Sequence, residues 1–361
     1  MKNPQNPRST NGAVTRRQLM GASLLGAGLA GGAATPLRAA STHGCQPAKP
    51  IVDSHVHLWK LPRNAPPMND FATFPTGCCG SVPWMEVDRL IPDYNARVGG
   101  PEVDKVVLIE SSVGVPPDKI IQSNLWMLQT AAAESKILSV VGNLDITKSP
   151  DFAQQVAQLS ANKQWVGIRI GGGIFQSGMP QSLSSLKPNV LTNLKLLVSK
   201  GLEIDTLGIT GTALSQIGSD VPGLTIVMDH FAGKPTDFAV EDSWKSDMMA
   251  AARYPGLNVK VSDVHKLSAQ AVTGHPASLT QFQPIADPAP YAPTLEFLWD
   301  TFGPDRLIFG TNWPVSDAGG LFVDSIDLEI SIMESFLTER FSGGRDRIMY
   351  KNALRVYSPR K

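Results

Sequence analysis

After residue 50, short runs of valine, isoleucine and leucine alternate with longer segments of helical period, and this alternation recurs eight times. The runs fall at 51–55, 105–110, 137–142, 166–170, 202–205, 224–229, 257–262 and 306–310, with helical segments such as 120–136, 151–161, 189–200, 241–253 and 291–302 between them. In 120–136, Ile121, Leu125 and Leu128 recur at spacings of four and three and lead into Ala131–Ala133, which a strand of period two does not produce. Continuous apolar runs, each followed by a crossover, suit parallel strands buried on both faces. Eight of them point to a closed (β/α)8 TIM barrel, an α/β fold, with the segments 324–340 and 346–354 expected to pack outside and cover it. An open doubly wound sheet is the alternative fold. It more often places a glycine-rich phosphate turn after its first strand, where this chain reads H-V-H-L-W. The G-G-G at 171–173 matches no dinucleotide or Walker pattern.

Residues 1–40 have a different character. A polar stretch carrying Arg8, Arg16 and Arg17 precedes an apolar, Gly/Ala-rich run from Leu19 to Ala34. This leader resembles a twin-arginine export signal, with T-R-R-Q-L-M at 15–20 as its motif. The expected organisation is a leader at 1–40, a linker at 41–50 and a single barrel domain at 51–361. Export by the twin-arginine machinery would place the mature protein in the periplasm or outside the cell. The leader holds five of the 32 basic residues and no acid, so 27 basic face 32 acidic residues beyond it, a net of about −5. No basic patch follows, which argues against a nucleic-acid partner. The three cysteines, Cys45, Cys78 and Cys79, are too few for a disulfide scaffold, although one of the adjacent pair could join Cys45 in an oxidising compartment.

In a barrel of this kind the working groups project from the C-terminal ends of the strands. There the chain carries His55 and His57, Glu110, Asn143 and Asp145, Arg169, Asp205, Asp229 and His230, Asp263 and His265, and Asn312 and Trp313. His55 and His57 stand two apart on one strand and so share a face. Only six histidines exist, and four of them gather here. Neutral imidazoles with a carboxylate or water can ligate one divalent ion, zinc or manganese. Without metal, the same rings and Arg169 can hold a carbonyl oxygen or a carboxylate directly. Arg169 could instead serve in a buried salt bridge to Glu110 or Asp145. Asp229 could orient His57 or a neighbouring ligand, and Trp313 could stack on a flat substrate or pack beneath the eighth loop. The segments 61–84 and 266–290 are long and proline-rich and follow the first and seventh strands, so both are expected to roof the same mouth.

Four motifs carry a resemblance: D-S-H-V-H-L-W at 53–59, G-I-R at 167–169, M-D-H-F-A-G-K-P at 228–235 and R-L-I-F-G-T-N-W-P-V at 306–315. Together they resemble the amidohydrolase-2 type of the amidohydrolase superfamily, in the branch of sugar lactonases and pyrone-dicarboxylate lactonases. N-A-L-R-V-Y at 352–357 resembles the usual end of that branch. The resemblance spans about residues 50–357. It implies a hydrolase opening a lactone or related cyclic ester, with His55, His57 and His230 as metal ligands or, in metal-free members, as oxygen-holding groups. It implies a small-molecule substrate, a lactone or a carboxylate-bearing ring. The substrate-binding candidates are Arg169, Asn143, Asp229 and Trp313, and the catalytic candidates are His230, Asp263, His265 and Asn312. The eighth strand departs from the pattern, because asparagine stands at 312 where the branch has an acid that ligates metal and shuttles protons. The seventh reads K-V-S-D-V-H, which brings in Asp263 and His265 as replacement base. A lactone isomerase or a decarboxylase of the same superfamily is the second expectation, and a non-catalytic solute-binding barrel the third.

Overall fold

In the computed structural model the described residues are 49–60, 87–97, 102–111, 117–146, 151–170, 188–207, 211–233, 237–273, 283–317, 325–339 and 341–361. The leader, all three cysteines, His275, the segment 61–84 and the middle of 266–290 lie outside them. Eight parallel strands pair in sequence order: β1 Val52–His57, β2 Lys105–Ile109, β3 Ile137–Gly142, β4 Trp165–Ile170, β5 Glu203–Thr206, β6 Ile226–Met228, β7 Leu257–Val261 and β8 Leu307–Phe309. Around them run α1 Ile91–Arg97, α2 Ile120–Ala133, α3 Asp151–Leu159, α4 Pro188–Ser199, α5 Gly211–Asp220, α6 Asp242–Ala251, α7 Ala292–Phe302 and α8 Ser325–Glu339. The barrel closes just beyond β8, where the His57 amide donates to the Trp313 carbonyl (2.8 Å) and the Asn312 amide to the His55 carbonyl (2.9 Å). Each strand expected from the sequence is present. β6 and β8 are only three residues long, because the chain turns into the site as soon as the apolar run ends.

Alternation sorts the side chains of these strands. On β2, Val106 and Leu108 join the large core beneath the helices, while Val107 and Ile109 join a smaller cluster inside the barrel with Val52, Val141, Val166, Val227 and Ile308. Ala353 and Tyr357 belong to that interior cluster. They come from α9, Asn352–Tyr357, whose Asn352 side chain donates to the carbonyls of Pro304 and Leu307 at the start of β8. The last helix therefore seals the N-terminal end of the barrel from within, instead of covering it from outside. A strand bundle closed at one end needs a plug, and a short helix bearing one large aromatic supplies it.

Candidate active site

Strand β1 would present the wrong face if it alternated without interruption. Val52 points inward with the interior cluster, which would send His55 and His57 outward. The pairing of β1 with β2 slips between Asp53 and Val56, and this irregularity turns both imidazoles into the barrel. Asp53 fixes the distortion. Its Oδ1 accepts from the amides of His55 (3.1 Å) and Thr311 (2.9 Å), and its Oδ2 from the hydroxyls of Tyr94 (2.9 Å) and Thr311 (2.6 Å). Gly310 leaves room for the close approach of β8, since a Cβ there would meet the His55 Cβ at 3.0 Å.

The His57 Nδ1 lies 2.9 Å from the Glu110 carbonyl and 3.3 Å from that of Ile109. A carbonyl only accepts, so Nδ1 carries the proton and Nε2 the lone pair. That Nε2 lies 3.0 Å from the His55 Nε2. His230, at the end of β6, sets its ring 4.5 Å from that of His55 and uses Nδ1 for the Ser262 hydroxyl at 2.8 Å. Burial pushes all three imidazoles below their ordinary range. His55 falls well below it, His57 falls to about 4 with the Arg169 charge adding to the effect, and His230 falls to about 3. All three rings are therefore neutral at physiological pH, the form that ligates metals or shares hydrogen bonds.

Asp229 is the electrostatic hub. Fully buried, it accepts from Arg169 Nε at Oδ2 (2.8 Å), while its Oδ1 lies 3.2 Å from Lys260 Nζ and 3.3 Å from His55 Nδ1. Burial alone would raise its pKa, but the cations Lys260 and Arg169 more than offset that and hold it well below the usual carboxylate range. Asp229 thus anchors Arg169 from below. Arg169 NH1 also faces Glu110 at 3.6 Å, so the ion pair weighed for it is formed, to Glu110. Lys260, fully buried on β7, donates to Asp205 Oδ2 (2.6 Å), and Tyr357 donates to Asp205 Oδ1 (2.7 Å). A continuous chain of polar contacts thus rises from the C-terminal plug to the imidazoles. Asp205 belongs to this chain beneath the site.

On the other side of the mouth, Asp263 accepts from the side-chain Nδ2 of Asn312 (3.0 Å) and pairs with Lys266 (2.7 Å) through Oδ2, and among the described residues nothing donates to its Oδ1. Lys266 outweighs burial and holds the Asp263 carboxyl below its ordinary value. His265 does not join His55, His57 and His230. Its Nδ1 bonds Glu329 of α8, which also accepts the amides of Val264 (3.0 Å) and His265 (3.1 Å). Glu329 thereby holds the turn that presents Asp263, and His265 serves that turn. Trp313 is likewise drawn into packing, fully buried, donating to Asp317 (3.0 Å) with its ring edge-on to Tyr94. Asn143 follows β3 directly, and its main chain is bonded to the Asn124 side chain of α2.

Among the described residues, five non-glycine residues have left-handed backbone, all just beyond β6, β7 and β8: His230 (φ 47°), Phe231 (57°), Ala232 (59°), Asp263 (63°) and Asn312 (64°). Each such residue costs about 1–2 kcal/mol, and strain of this kind collects at functional sites. The His230 turn is held by the Trp244 indole donating to the Phe231 carbonyl (3.0 Å).

Lys260, Asp53, Ser262 and Glu329 were not foreseen from sequence. A lysine within the apolar run L-N-V-K-V and a glutamate on the buried stripe of α8, between Ile326 and Ile330, are the signals that marked two of them.

A TIM barrel that gathers three neutral imidazoles, an anchored guanidinium and a carboxylate at the C-terminal ends of its strands has the arrangement of an enzyme's active site. The amidohydrolase family model matches residues 52–358, and the chain belongs to that family. An L-fucono-1,5-lactonase of Burkholderia ambifaria is 26% identical over 286 residues, covering 76% of this chain and 83% of the relative. An amidohydrolase from Burkholderia multivorans shares the fold in two crystal forms. The one with bound HEPES has TM-score 0.64 at 21% identity, and the one with bound zinc has 0.61 at 20%; each match covers 86% of this chain and 99% of the other.

Proposed function

We propose that the protein hydrolyses a lactone, with water adding to the acyl carbon and the ring C–O bond breaking to leave a hydroxy acid. The observation that carries this reading is Arg169, anchored by Asp229 and Glu110 beside the neutral His55, His57 and His230, so that a fixed cation and imidazoles meet at one point of the mouth. A guanidinium there stabilises the oxyanion that forms when water adds, or holds a substrate carboxylate. Asp263, whose Oδ1 receives no bond from any described residue, takes the proton of the attacking water, and Asn312 steadies it through Oδ2. The relative named an L-fucono-1,5-lactonase supports a sugar lactone as the substrate class.

The residues present fit a divalent ion. His57 directs a lone pair into the site, and His55, Asp229 and His230 place ligand atoms within 4.8 Å of one another. When bound, such an ion polarises the acyl oxygen or activates water. Asn312, which cannot take a proton, favours one second reading, isomerisation of the lactone ring without net water addition. A pH-stat assay on a panel of five- and six-membered sugar lactones separates the two. Hydrolysis releases one equivalent of acid per lactone consumed, whereas disappearance of the lactone without acid refutes the hydrolase reading. The T-R-R-Q-L-M motif supports export through the twin-arginine route and a periplasmic or secreted mature protein.

A further inference from the structure

We propose that Lys260 and Asp229 compete for Nδ1 of His55, and that Lys260, by donating to it, keeps the His55–His57 pair bonded to itself and so opposes entry of a divalent cation. Lys260 is thereby a positioning residue for the imidazole pair, a role that does not depend on which substrate the enzyme takes.

The argument follows the protons. His57 spends its Nδ1–H on the Glu110 carbonyl and presents a bare Nε2 to the His55 Nε2 at 3.0 Å. Two lone pairs cannot face each other at that distance without something between them. Nitrogens bound at 2.0–2.1 Å to a tetrahedral zinc would stand about 3.3 Å apart. At 3.0 Å the pair has the separation of a hydrogen bond, with the His55 Nε2–H donating to His57. Nδ1 of a neutral His55 is then bare. An ammonium only donates, and Lys260 Nζ lies 3.2 Å from that nitrogen. The same Nζ donates to Asp205 Oδ2 at 2.6 Å and stands as an ion-pair partner 3.2 Å from Asp229 Oδ1, which fixes the lysine in place.

The second state is equally visible. Asp229 Oδ1 is buried and, although close to Lys260, receives no aligned hydrogen bond from any described residue. It lies 3.3 Å from His55 Nδ1, where it would accept if that nitrogen carried the proton. Moving the His55 proton from Nε2 to Nδ1 satisfies Asp229, frees both Nε2 lone pairs for a cation, and takes the His55 acceptor from Lys260. The move neither gains nor loses a proton. Lys260 favours the first state and Asp229 the second.

The test is ¹⁵N NMR of the mature protein labelled at histidine, stripped of metal and then titrated with zinc. Two-bond ¹H–¹⁵N couplings report which nitrogen of each ring is protonated, with rings assigned by single His→Gln exchanges. In metal-free protein His57 is expected protonated at Nδ1 and His55 at Nε2, and zinc shifts His55 to Nδ1. In the Asp205→Asn/Lys260→Met double variant, which keeps the buried charges balanced, His55 is expected at Nδ1 before metal is added. Zinc, measured by equilibrium dialysis, is expected to bind this variant at least tenfold more tightly. A His55 already protonated at Nδ1 in the metal-free native chain overturns the proposal, as does an unchanged zinc affinity in a folded variant. Should the variant not fold, the spectrum of the native chain decides alone.

Discussion

Replacing Arg169 separates what the site needs for folding from what it needs for chemistry. In Arg169→Met, Asp229 Oδ2 loses a 2.8 Å charge-assisted bond while staying fully buried. Removing one partner of a buried ion pair costs about 3–5 kcal/mol. Lys260 still stands 3.2 Å from the other oxygen, which keeps the cost near 3 kcal/mol and lowers Tm by roughly 6 °C. Arg169→Lys keeps the charge and one contact to Asp229, so its stability stays within about 1 kcal/mol of the parent. It cannot bridge Asp229, Glu110 and a substrate oxygen together, because only the planar fork reaches in two directions at fixed geometry. Loss of one such donor to a developing oxyanion lowers turnover by about 10²–10³. Calorimetry and initial lactonase rates on both variants are the assay. The expected result is a lysine variant that melts almost like the parent yet has lost at least about 100-fold in kcat/KM. A lysine variant within threefold of parent activity would refute contact between Arg169 and the reacting substrate and leave it a purely structural ion pair.

Other perturbations have equally definite outcomes. Asp263→Asn is expected to cut kcat by two orders of magnitude or more, by about the worth of a general base, with the fold retained; an unchanged rate removes Asp263 from the chemistry. Asp53→Ala orphans four donors at the barrel seam and is expected to cost about 4 kcal/mol in urea unfolding, with Asp53→Asn recovering part of it. Glu203 is buried on β5 with its carboxyl lodged where a side chain at Gly167 would lie, 2.0 Å from the built Cβ. Burial, with the nearby Asp205 charge adding to it, pushes its pKa well above 4.5. The folded state therefore keeps a proton that the unfolded chain releases, and stability falls as pH rises from about 4.5 through the folded value. Glu203→Gln should abolish that slope, raising Tm at pH 8 relative to the parent while giving no gain at pH 4; parallel melting curves for the two proteins across this range would contradict it.

The barrel was legible because parallel strands buried on both faces leave unbroken apolar runs, and each of the eight is a strand. The histidine pair was legible from its spacing alone, yet the spacing does not say which face it occupies. That depends on the slip between Asp53 and Val56, a pairing irregularity with no sequence signature of its own. The last helical piece reads from sequence as a cover at 346–354 packed outside, and only barrel closure decides that Tyr357 plugs the interior. His265 and Trp313 look like site residues because they follow strand ends, but each is claimed by an acid from a neighbouring element, Glu329 and Asp317. Glu329 lies 64 residues from His265 along the chain, beyond the reach of local pattern, whereas Asp317 follows Trp313 by only four. Lys260 was the readable omission, since a lysine within a buried parallel strand must have buried counter-charges, here Asp205 and Asp229.

Isotope tracing tests the central claim most directly. A sugar lactone turned over in H₂¹⁸O should give a hydroxy acid carrying one solvent oxygen in its carboxylate, at a rate that collapses in Arg169→Lys and in the His55→Ala/His57→Ala double variant. A product without ¹⁸O, formed at the same site, would contradict hydrolysis.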